Sequence, residues 1–210
     1  FDETEWFKTM GKILYMEELV VKHGTIMDKY DPDKRIGLIV DEWGTWFNPE
    51  IGTNPGFLYQ QNTIRDALVA GIGLNIFNNH CDRVQMANIA QMVNVLQSMI
   101  LTQGDKIVLT PTYHIFKMYK VHQDAQLVST VTECAEYVNS DKSVPELNVS
   151  ASVDDNGILH ISLCNMDPNE DVEISTELRG VTYSKVSGSI LSSDKMNDYN
   201  SFENPNKDRK

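Results

Sequence analysis

Two adjacent carboxylates, Asp41 and Glu42, follow the apolar run of residues 35–40, and Trp43 and Trp46 come directly after them. A carboxylate at a strand end can act as a nucleophile or a general base, and indole rings pack against the C–H faces of sugars. Neighbouring strand residues point to opposite faces, so the two acids cannot form a side-by-side acid/base pair. The pattern fits Glu42 as a nucleophile or base with Trp43 and Trp46 as apolar walls. The same pattern also fits a polar strand end with capping carboxylates and core tryptophans.

Asn78, Asn79 and His80 form a second polar group, which follows the apolar run 72–77. As the end of a second strand, they are expected to support the same site. His80 precedes Cys81, but chain neighbours rarely have the geometry of a Cys–His nucleophile pair. A structural or supporting role for His80 is therefore the prediction.

Gln91 lies among apolar residues, where a buried amide needs hydrogen-bond partners. It is either a helix-packing amide or a ligand contact. His114 and His122 are eight residues apart, with no carboxylate pattern between them that would suggest a metal site. No metal or cofactor is predicted.

The elements that must position these side chains alternate between helices and strands. Helical spacing of apolar residues predicts helices over 4–30, 57–71 and 82–104, and short apolar runs predict strands over 35–40 and 72–80. This order favours βαβ connections and a parallel sheet, in which binding groups collect at the carboxyl ends of the strands.

After about residue 105 the pattern becomes alternating apolar and polar, and Asp155-Asn156-Gly157 is typical of a hairpin turn. The prediction is an α/β part over residues 1–110 and an antiparallel β-sandwich, incomplete at its end, over 111–210. The polar segment 192–210 is expected to be loosely structured.

The formal net charge is −12, from 18 Lys and Arg against 30 Asp and Glu, which disfavours binding to phosphate backbones. No apolar run approaches the length of a membrane span. We therefore expect neither nucleic acid nor a membrane as a partner. The three cysteines, Cys81, Cys134 and Cys164, sit in apolar settings and are predicted to be buried thiols. The compartment is not fixed by the sequence; cytoplasm or periplasm is the expectation.

Three long segments, "VDEWGTWF", "TIRDALVAGIGLNIFNNHCDRVQMANIAQMVNVLQSMILT" and "LTPTYHIFKMYKVHQDA", resemble the C-terminal half of α-L-arabinofuranosidases of glycoside hydrolase family 51. The resemblance implies a (β/α)8 TIM barrel, of which this chain holds the last two strands and flanking helices, followed by a jelly-roll-like β-sandwich. It also implies that Glu42 is the catalytic nucleophile and that Gln91 contacts the arabinofuranosyl unit of an oligosaccharide or polysaccharide.

The implied reaction is retaining hydrolysis, which needs a second carboxyl group about 5–5.5 Å from the nucleophile. Asp41, Asn78 or Asn79 would keep Glu42 ionised through hydrogen bonds. The family's acid/base belongs to an Asn-Glu pair on an earlier strand, whereas Asn169-Glu170 here lies in a predicted turn. We therefore expect the isolated chain to be inactive. Its exposed sheet edges would associate with the missing N-terminal half or with copies of the chain.

Two alternatives remain open at this point. One is another glycosidase on the same barrel, such as an endoglucanase or a β-xylosidase, because pocket shape decides which sugar is accepted. The other is a non-catalytic carbohydrate-binding or assembly fragment that uses the β half and the tryptophans.

Overall fold

The structure, a computed structural model, describes residues 1–207, so the last three residues of the predicted sandwich and of its polar tail lie outside the described part. Within residues 1–207 there are three α-helices: α1 (Glu3–Tyr30), α2 (Ile64–Asn79) and α3 (Pro111–Tyr119). The strands of the same part are β1 (Leu38–Trp43), β2 (Val84–Ile89), β3 (Ile100–Gln103), β4 (Lys106–Leu109), β5 (Gln126–Val128), β6 (Glu136–Asn139), β7 (Lys142–Pro145), β8 (Leu147–Val153) and β9 (Leu159–Asn165). None of the described helices is both long and apolar enough to cross a membrane.

Helix α1 lies where its apolar spacing predicted it. Its N-cap is Asp2, whose carboxylate accepts a hydrogen bond from the Glu5 amide (3.0 Å). The helix ends before Asp31-Pro32, because a proline disfavours helical backbone in the residue that precedes it. One face, including Trp6 and Met10, is buried in the core.

Strands β1 and β2 form a parallel pair. β1 runs further along the chain than predicted, so Asp41 and Glu42 are strand residues instead of following the strand. The pairing shifts between Val40, opposite Ala87, and Trp43, opposite Ile89, so that β1 takes three steps while β2 takes two. Such a bulge re-aims side chains.

Helix α2 corrects the predicted strand over 72–80. The helix was predicted to end at Gly71, but it continues to Asn79 as one buried helix. The helix packs against α1, α3, β8 and β9, so apolar residues surround it on all sides. A short apolar run that is buried all round cannot be distinguished from a strand by its periodicity.

The predicted helix over 82–104 is also wrong. This segment contains β2, an irregular loop and β3. In the loop, Asn94 (φ 61°) and Leu96 (φ 52°) adopt left-handed backbone conformations that an α-helix excludes. Gly104, expected to end a helix, instead has φ 59° in the turn of the β3–β4 hairpin, where a positive φ favours glycine.

The β half holds a three-stranded antiparallel sheet in the order β5-β8-β9 and a separate β6–β7 hairpin. The predicted turn before β9 is confirmed: Gly157 has φ 75°, and the Asp154 carboxylate accepts hydrogen bonds from the Asn156 and Ile158 amides (2.9 and 3.0 Å). The part of the alternating pattern over residues 170–191, which is described throughout, contains no strand. Apolar side chains there, such as Val186 and Ile190, are exposed and have no neighbouring sheet to cover them.

The prediction of three buried cysteines holds for Cys164 alone. Cys164 packs against α2, whereas Cys81 and Cys134 are exposed. Cys81 lies in the turn that joins α2 to β2, and Cys134 lies in the irregular segment before β6. An apolar sequence neighbourhood did not imply burial at either position, because both lie in connecting segments on the surface.

Candidate functional site

The carboxyl ends of β1 and β2 bring Glu42 and Gln91 to one edge of the molecule. Glu42 is the next-to-last residue of β1, and Gln91 follows β2 by two residues. The Ala90 amide donates to the Trp43 carbonyl (2.8 Å), which ties the two chain segments together at this edge. Gln91 is exposed and lies in a loop, not on the helix predicted for it; the Ala90–Gln91 peptide bond is cis.

Asp41 and Glu42 are both exposed carboxylates. Within residues 1–207 neither one accepts a hydrogen bond or forms an ion pair. Glu42 precedes Trp43, whose side chain points into the core, so Glu42 points to the opposite face, which also carries the exposed Ile39. A carboxylate in this position is open to a ligand.

The two tryptophans differ sharply. Trp43 is 4% exposed, and its ring packs edge-on against Phe77 (centroid distance 5.1 Å) and stacks with Phe116 (6.2 Å). Its position is that of a core side chain, which corrects the expectation that it forms an apolar wall beside Glu42. Trp46 is 66% exposed at the same edge as Glu42 and retains the surface that a sugar contact requires.

A buried polar cluster, Thr45, Gln60, Asp66 and Gln97, lies beneath this edge. Gln97 comes from the loop after β2. Its side-chain oxygen accepts from the Thr45 amide (2.9 Å), and its NH2 donates to the Asp66 carbonyl (2.6 Å) and the Thr112 hydroxyl (3.1 Å). One amide side chain therefore links the loop after β1 to α2 and α3.

The rest of the cluster completes this link. Thr45 donates its hydroxyl proton to Asp66 (2.6 Å) and its hydroxyl oxygen accepts from Gln60 (3.0 Å), while the Gln60 oxygen accepts from the Phe47 amide (2.8 Å). The other Asp66 oxygen accepts from the amide and hydroxyl of Thr63 at the start of α2 (2.8 and 3.0 Å). Buried polar groups with all these bonds made hold a loop in one conformation.

Sequence reasoning missed this cluster. One signal was available: Thr63 and Asp66 have the spacing of a helix N-terminal capping pair before an apolar run. Gln97 shares with Gln91 the property of being a glutamine among apolar residues. The structure shows that the buried packing amide is Gln97, whereas Gln91 is exposed.

Asn78, Asn79 and His80 do not belong to the site, contrary to prediction. They lie at the C-terminal end of α2, from which the chain enters β2, so they sit at the opposite end of the parallel pair from Glu42. Because six strand residues span roughly 17 Å, this is about the distance between the two ends of the β1–β2 pair. Asn79 donates to the Val149 carbonyl (2.9 Å), Asn78 donates to a β8 serine, and His80 pairs with Glu17 (2.5 Å). These contacts join α2 to its neighbours and cannot support the ionisation of Glu42.

The histidines considered as metal ligands are apart from the site. His122 lies between the hydroxyls of Ser152 and Ser162, at 2.7 Å from each. His114 packs edge-on against Tyr113. Residues 1–207 contain no group of three or more His, Cys, Asp or Glu side chains arranged to hold a metal ion.

The family model, two of the curated relatives and two of the solved structures that match this chain are all described as arabinofuranosidases. Residues 41–209 match the sequence family described as "Alpha-L-arabinofuranosidase C-terminal domain". An intracellular exo-α-L-arabinofuranosidase from Bacteroides ovatus is 52% identical over 207 residues, covering 98% of this chain and 40% of the relative. A probable α-L-arabinofuranosidase C from Aspergillus clavatus is 28% identical over 167 residues, covering 75% of this chain and 33% of that protein.

The crystal structure of the family 51 (GH51) arabinofuranosidase from Xanthomonas axonopodis pv. citri superposes with a TM-score of 0.96 and 49% identity, covering 98% of this chain and 42% of that one. A family 51 α-L-arabinofuranosidase from Bifidobacterium longum has the same fold (TM-score 0.81, 20% identity), with 95% of this chain and 44% of that one covered. The chain thus spans about 40% of the length of the Bacteroides ovatus and Xanthomonas axonopodis relatives.

Proposed function

The chain belongs to the family of α-L-arabinofuranosidase C-terminal domains, and we propose that it is the part of a family 51 glycosidase that carries the catalytic nucleophile, Glu42. The parent protein would release terminal α-L-arabinofuranosyl residues from arabinose-containing polysaccharides or oligosaccharides. The observation that carries this proposal is the placement of Glu42, exposed and unpartnered within residues 1–207, at the same edge as Gln91 and Trp46.

The proposed mechanism retains the anomeric configuration. The Glu42 carboxylate attacks the anomeric carbon and forms a glycosyl ester, while an acid from the remainder of the parent protein protonates the departing oxygen. The same group then takes a proton from water, which attacks the anomeric carbon and returns Glu42 to its carboxylate form. Gln91 would hydrogen-bond the sugar, and Trp46 would pack against its C–H face.

We further propose that β1 and β2 are the last two strands of a (β/α)8 barrel, within an α/β part that spans residues 1–110, and that residues 111–210 form the following β-sandwich domain. The exposed Ile39 (43%) and Met86 (54%) lie on the face of the pair that points away from α2. This face is where the inside of a barrel would lie. Covering it requires the remainder of the parent protein or another copy of the chain, since exposed apolar sheet faces promote association.

The decisive experiment is Glu42→Gln in the full-length parent protein. Turnover of an aryl α-L-arabinofuranoside should fall by several orders of magnitude while binding of arabino-oligosaccharides persists, because the amide keeps the shape of the side chain but not its nucleophilicity. Mass spectrometry of a glycosyl-enzyme trapped in the wild-type parent protein should locate the ester at Glu42. The matched control is Asp33→Asn, an exposed carboxylate before β1 that should leave turnover unchanged. Unchanged turnover in Glu42→Gln would remove the proposal.

The exposed Trp46 favours a second candidate, a carbohydrate-binding role without catalysis. Titration of the isolated chain with arabino-oligosaccharides, followed by tryptophan fluorescence, tests it. Saturable quenching that is lost in Trp46→Ala, together with normal turnover in the Glu42→Gln parent, would favour this candidate. Preference of the parent for aryl xylosides or glucan chains would instead identify another glycosidase. The isolated chain itself should not hydrolyse an aryl arabinofuranoside.

A further inference from the structure

We propose that Arg65 and the cavity beside it form a binding site for a carboxylate group, separate from Glu42 and independent of the proposed hydrolase function. Arg65 lies in the first turn of α2 and is only 6% exposed. Its guanidinium is held between the rings of Phe1 and Phe47, whose centroids lie 3.9 and 3.7 Å from the Arg65 Cζ atom. Stacking on both faces leaves the edge of the guanidinium, which carries its N–H donors, as its free direction.

The charge of Arg65 is not matched by a hydrogen-bonding partner within residues 1–207. The buried Nε has none, and the nearest carboxylate oxygen, on Asp66, is 3.8 Å from the guanidinium. That oxygen already accepts two hydrogen bonds from Thr63. A buried cation without a hydrogen-bonded anion is costly, and here burial lowers the pKa of Arg65.

A cavity of about 160 Å³ adjoins Arg65. Besides Phe1, Phe47 and Arg65, its walls are polar: Asn48, Glu50, Gln60, Gln61, Thr63 and Asn197. At about 30 Å³ per water molecule, this volume accommodates a carboxylate group with a few waters. The planar fork of an arginine matches the two oxygens of a carboxylate, and side-chain amides can complete the hydrogen bonding.

Glu50 and the net charge of −12 narrow the choice of anion. A doubly charged phosphate would meet more repulsion than a singly charged carboxylate. The carboxylate has two chemically equivalent sources: an acidic side chain from the remainder of the parent protein, or a small acid such as a uronic acid.

The test is titration of the 210-residue chain with acetate and with D-galacturonate, monitored by the NMR signal of the Arg65 Nε–H and by calorimetry. We expect a saturable shift of that signal, with no shift from the neutral analogues acetamide and methyl D-galactoside. Glu50→Gln should tighten binding by at least about twofold, because it removes a like charge from the cavity wall. Arg65→Lys should weaken binding, because it keeps the charge but loses the fork.

The same titration of the full-length parent distinguishes the two sources. If the parent also binds D-galacturonate, the ligand is a small acid; if the isolated chain alone responds, the site is filled by the parent's own side chain. The proposal is overturned if neither acid gives a saturable shift in the wild-type chain or in Glu50→Gln. It is equally overturned if acetamide shifts the signal as much as acetate. Loss of turnover in the Glu42→Gln parent has no bearing on these outcomes.

Discussion

The ring of Trp43 lies so close to the backbone of Gly73 that a Cβ atom added to Gly73 would come within 2.7 Å of the ring. This contact fixes the distance between β1 and α2. Because Trp43 is the immediate neighbour of Glu42, the position of the proposed nucleophile depends on a glycine thirty residues further along the chain.

Gly73→Ala should therefore destabilise the protein. The new methyl group overlaps the Trp43 ring and forces β1 away from α2, at a cost of about 1–3 kcal/mol in the free energy of unfolding. The control is Gly11→Ala in α1, where nothing lies within 4 Å of the added Cβ and the higher helix propensity of alanine should stabilise by about 0.5–1 kcal/mol. Urea unfolding measures both. Equal stability of the two variants would contradict the close contact.

Replacement of the two tryptophans by alanine should have opposite consequences in the parent protein. Trp43→Ala should cost about 3–5 kcal/mol of stability, because it leaves a cavity against Phe77 and Phe116. Trp46→Ala should change the stability by no more than about 0.5 kcal/mol, because the ring is exposed and not part of the core. It should raise KM for an aryl arabinofuranoside, because the sugar is the partner that the exposed ring is proposed to contact. Thermal unfolding and steady-state kinetics separate these effects. A Trp46→Ala variant with unaltered KM and kcat would exclude a sugar contact.

Gln97→Met should loosen the loop after β1, which holds Thr45, and the loop after β2, which holds Gln97 itself. Methionine has a similar volume but leaves the buried Thr45 amide without its acceptor, at about 1–3 kcal/mol for the unsatisfied group, and removes the additional hydrogen bond to the Asp66 carbonyl. The exposed Gln103→Met on β3 is the matched control and should stay within about 0.5 kcal/mol of the wild type. Chemical unfolding gives the stabilities. Hydrogen exchange of the Thr45 amide, which should accelerate in Gln97→Met alone, reports on the loop; unchanged protection would mean that the cluster does not hold it.

The stability of the protein should fall as the pH drops below about 6.5, the unperturbed histidine value. Burial, followed by the nearby His160, lowers the pKa of His122. The unfolded chain therefore binds a proton at His122 more readily than the folded chain does, so the full stability is present above the unfolded pKa. It is lost as the pH falls toward the lower folded pKa, at no more than about 1.4 kcal/mol per pH unit for one proton.

His122→Gln should reduce this slope, whereas the exposed His23→Gln on α1 should leave it as in the wild type. Unfolding midpoints measured between pH 4.5 and pH 8 test the prediction. Two neighbouring groups surround His122 in both proteins that retain it. His160 pairs with Asp154 (3.1 Å), and Tyr119 packs against the His122 imidazole (centroid distance 5.5 Å). An identical slope in His122→Gln and the wild type would show that His122 does not contribute.

Some features could be predicted from local chemistry. The long amphipathic α1 and the Asp154–Ile158 turn follow from residue spacing and turn residues within a few positions of each other, so the sequence alone was sufficient for them. Residue type and setting were enough to single out Glu42 and Gln91, but their assignment as nucleophile and sugar contact came from the resemblance of whole segments to a family. Periodicity placed Gln91 wrongly on a helix.

Other features depended on contacts between distant segments. Residues 72–79 are helical because β1, β2, α1, α3 and the β8–β9 sheet surround them, and no local pattern reveals such an environment. The separation of Trp43 from Trp46, and of Gln97 from Gln91, was decided in the same way. Trp43 is buried and Trp46 exposed where the register of β1 shifts, and Gln97 is buried and Gln91 exposed within the loop after β2.

The sequence by itself determined which side chains are available for chemistry, the family to which they belong and the helix and turn with strong local signals. The tertiary structure alone decided which of those side chains share an edge, because parallel pairing brings together strand ends such as Trp43 and Ile89, which are 46 residues apart in the chain. It also placed Asn78, Asn79 and His80 at the far end of α2 and placed the buried Arg65 in the wall of a cavity. Burial and hydrogen bonding between distant residues are properties of the packed chain, and no stretch of the sequence carries them alone.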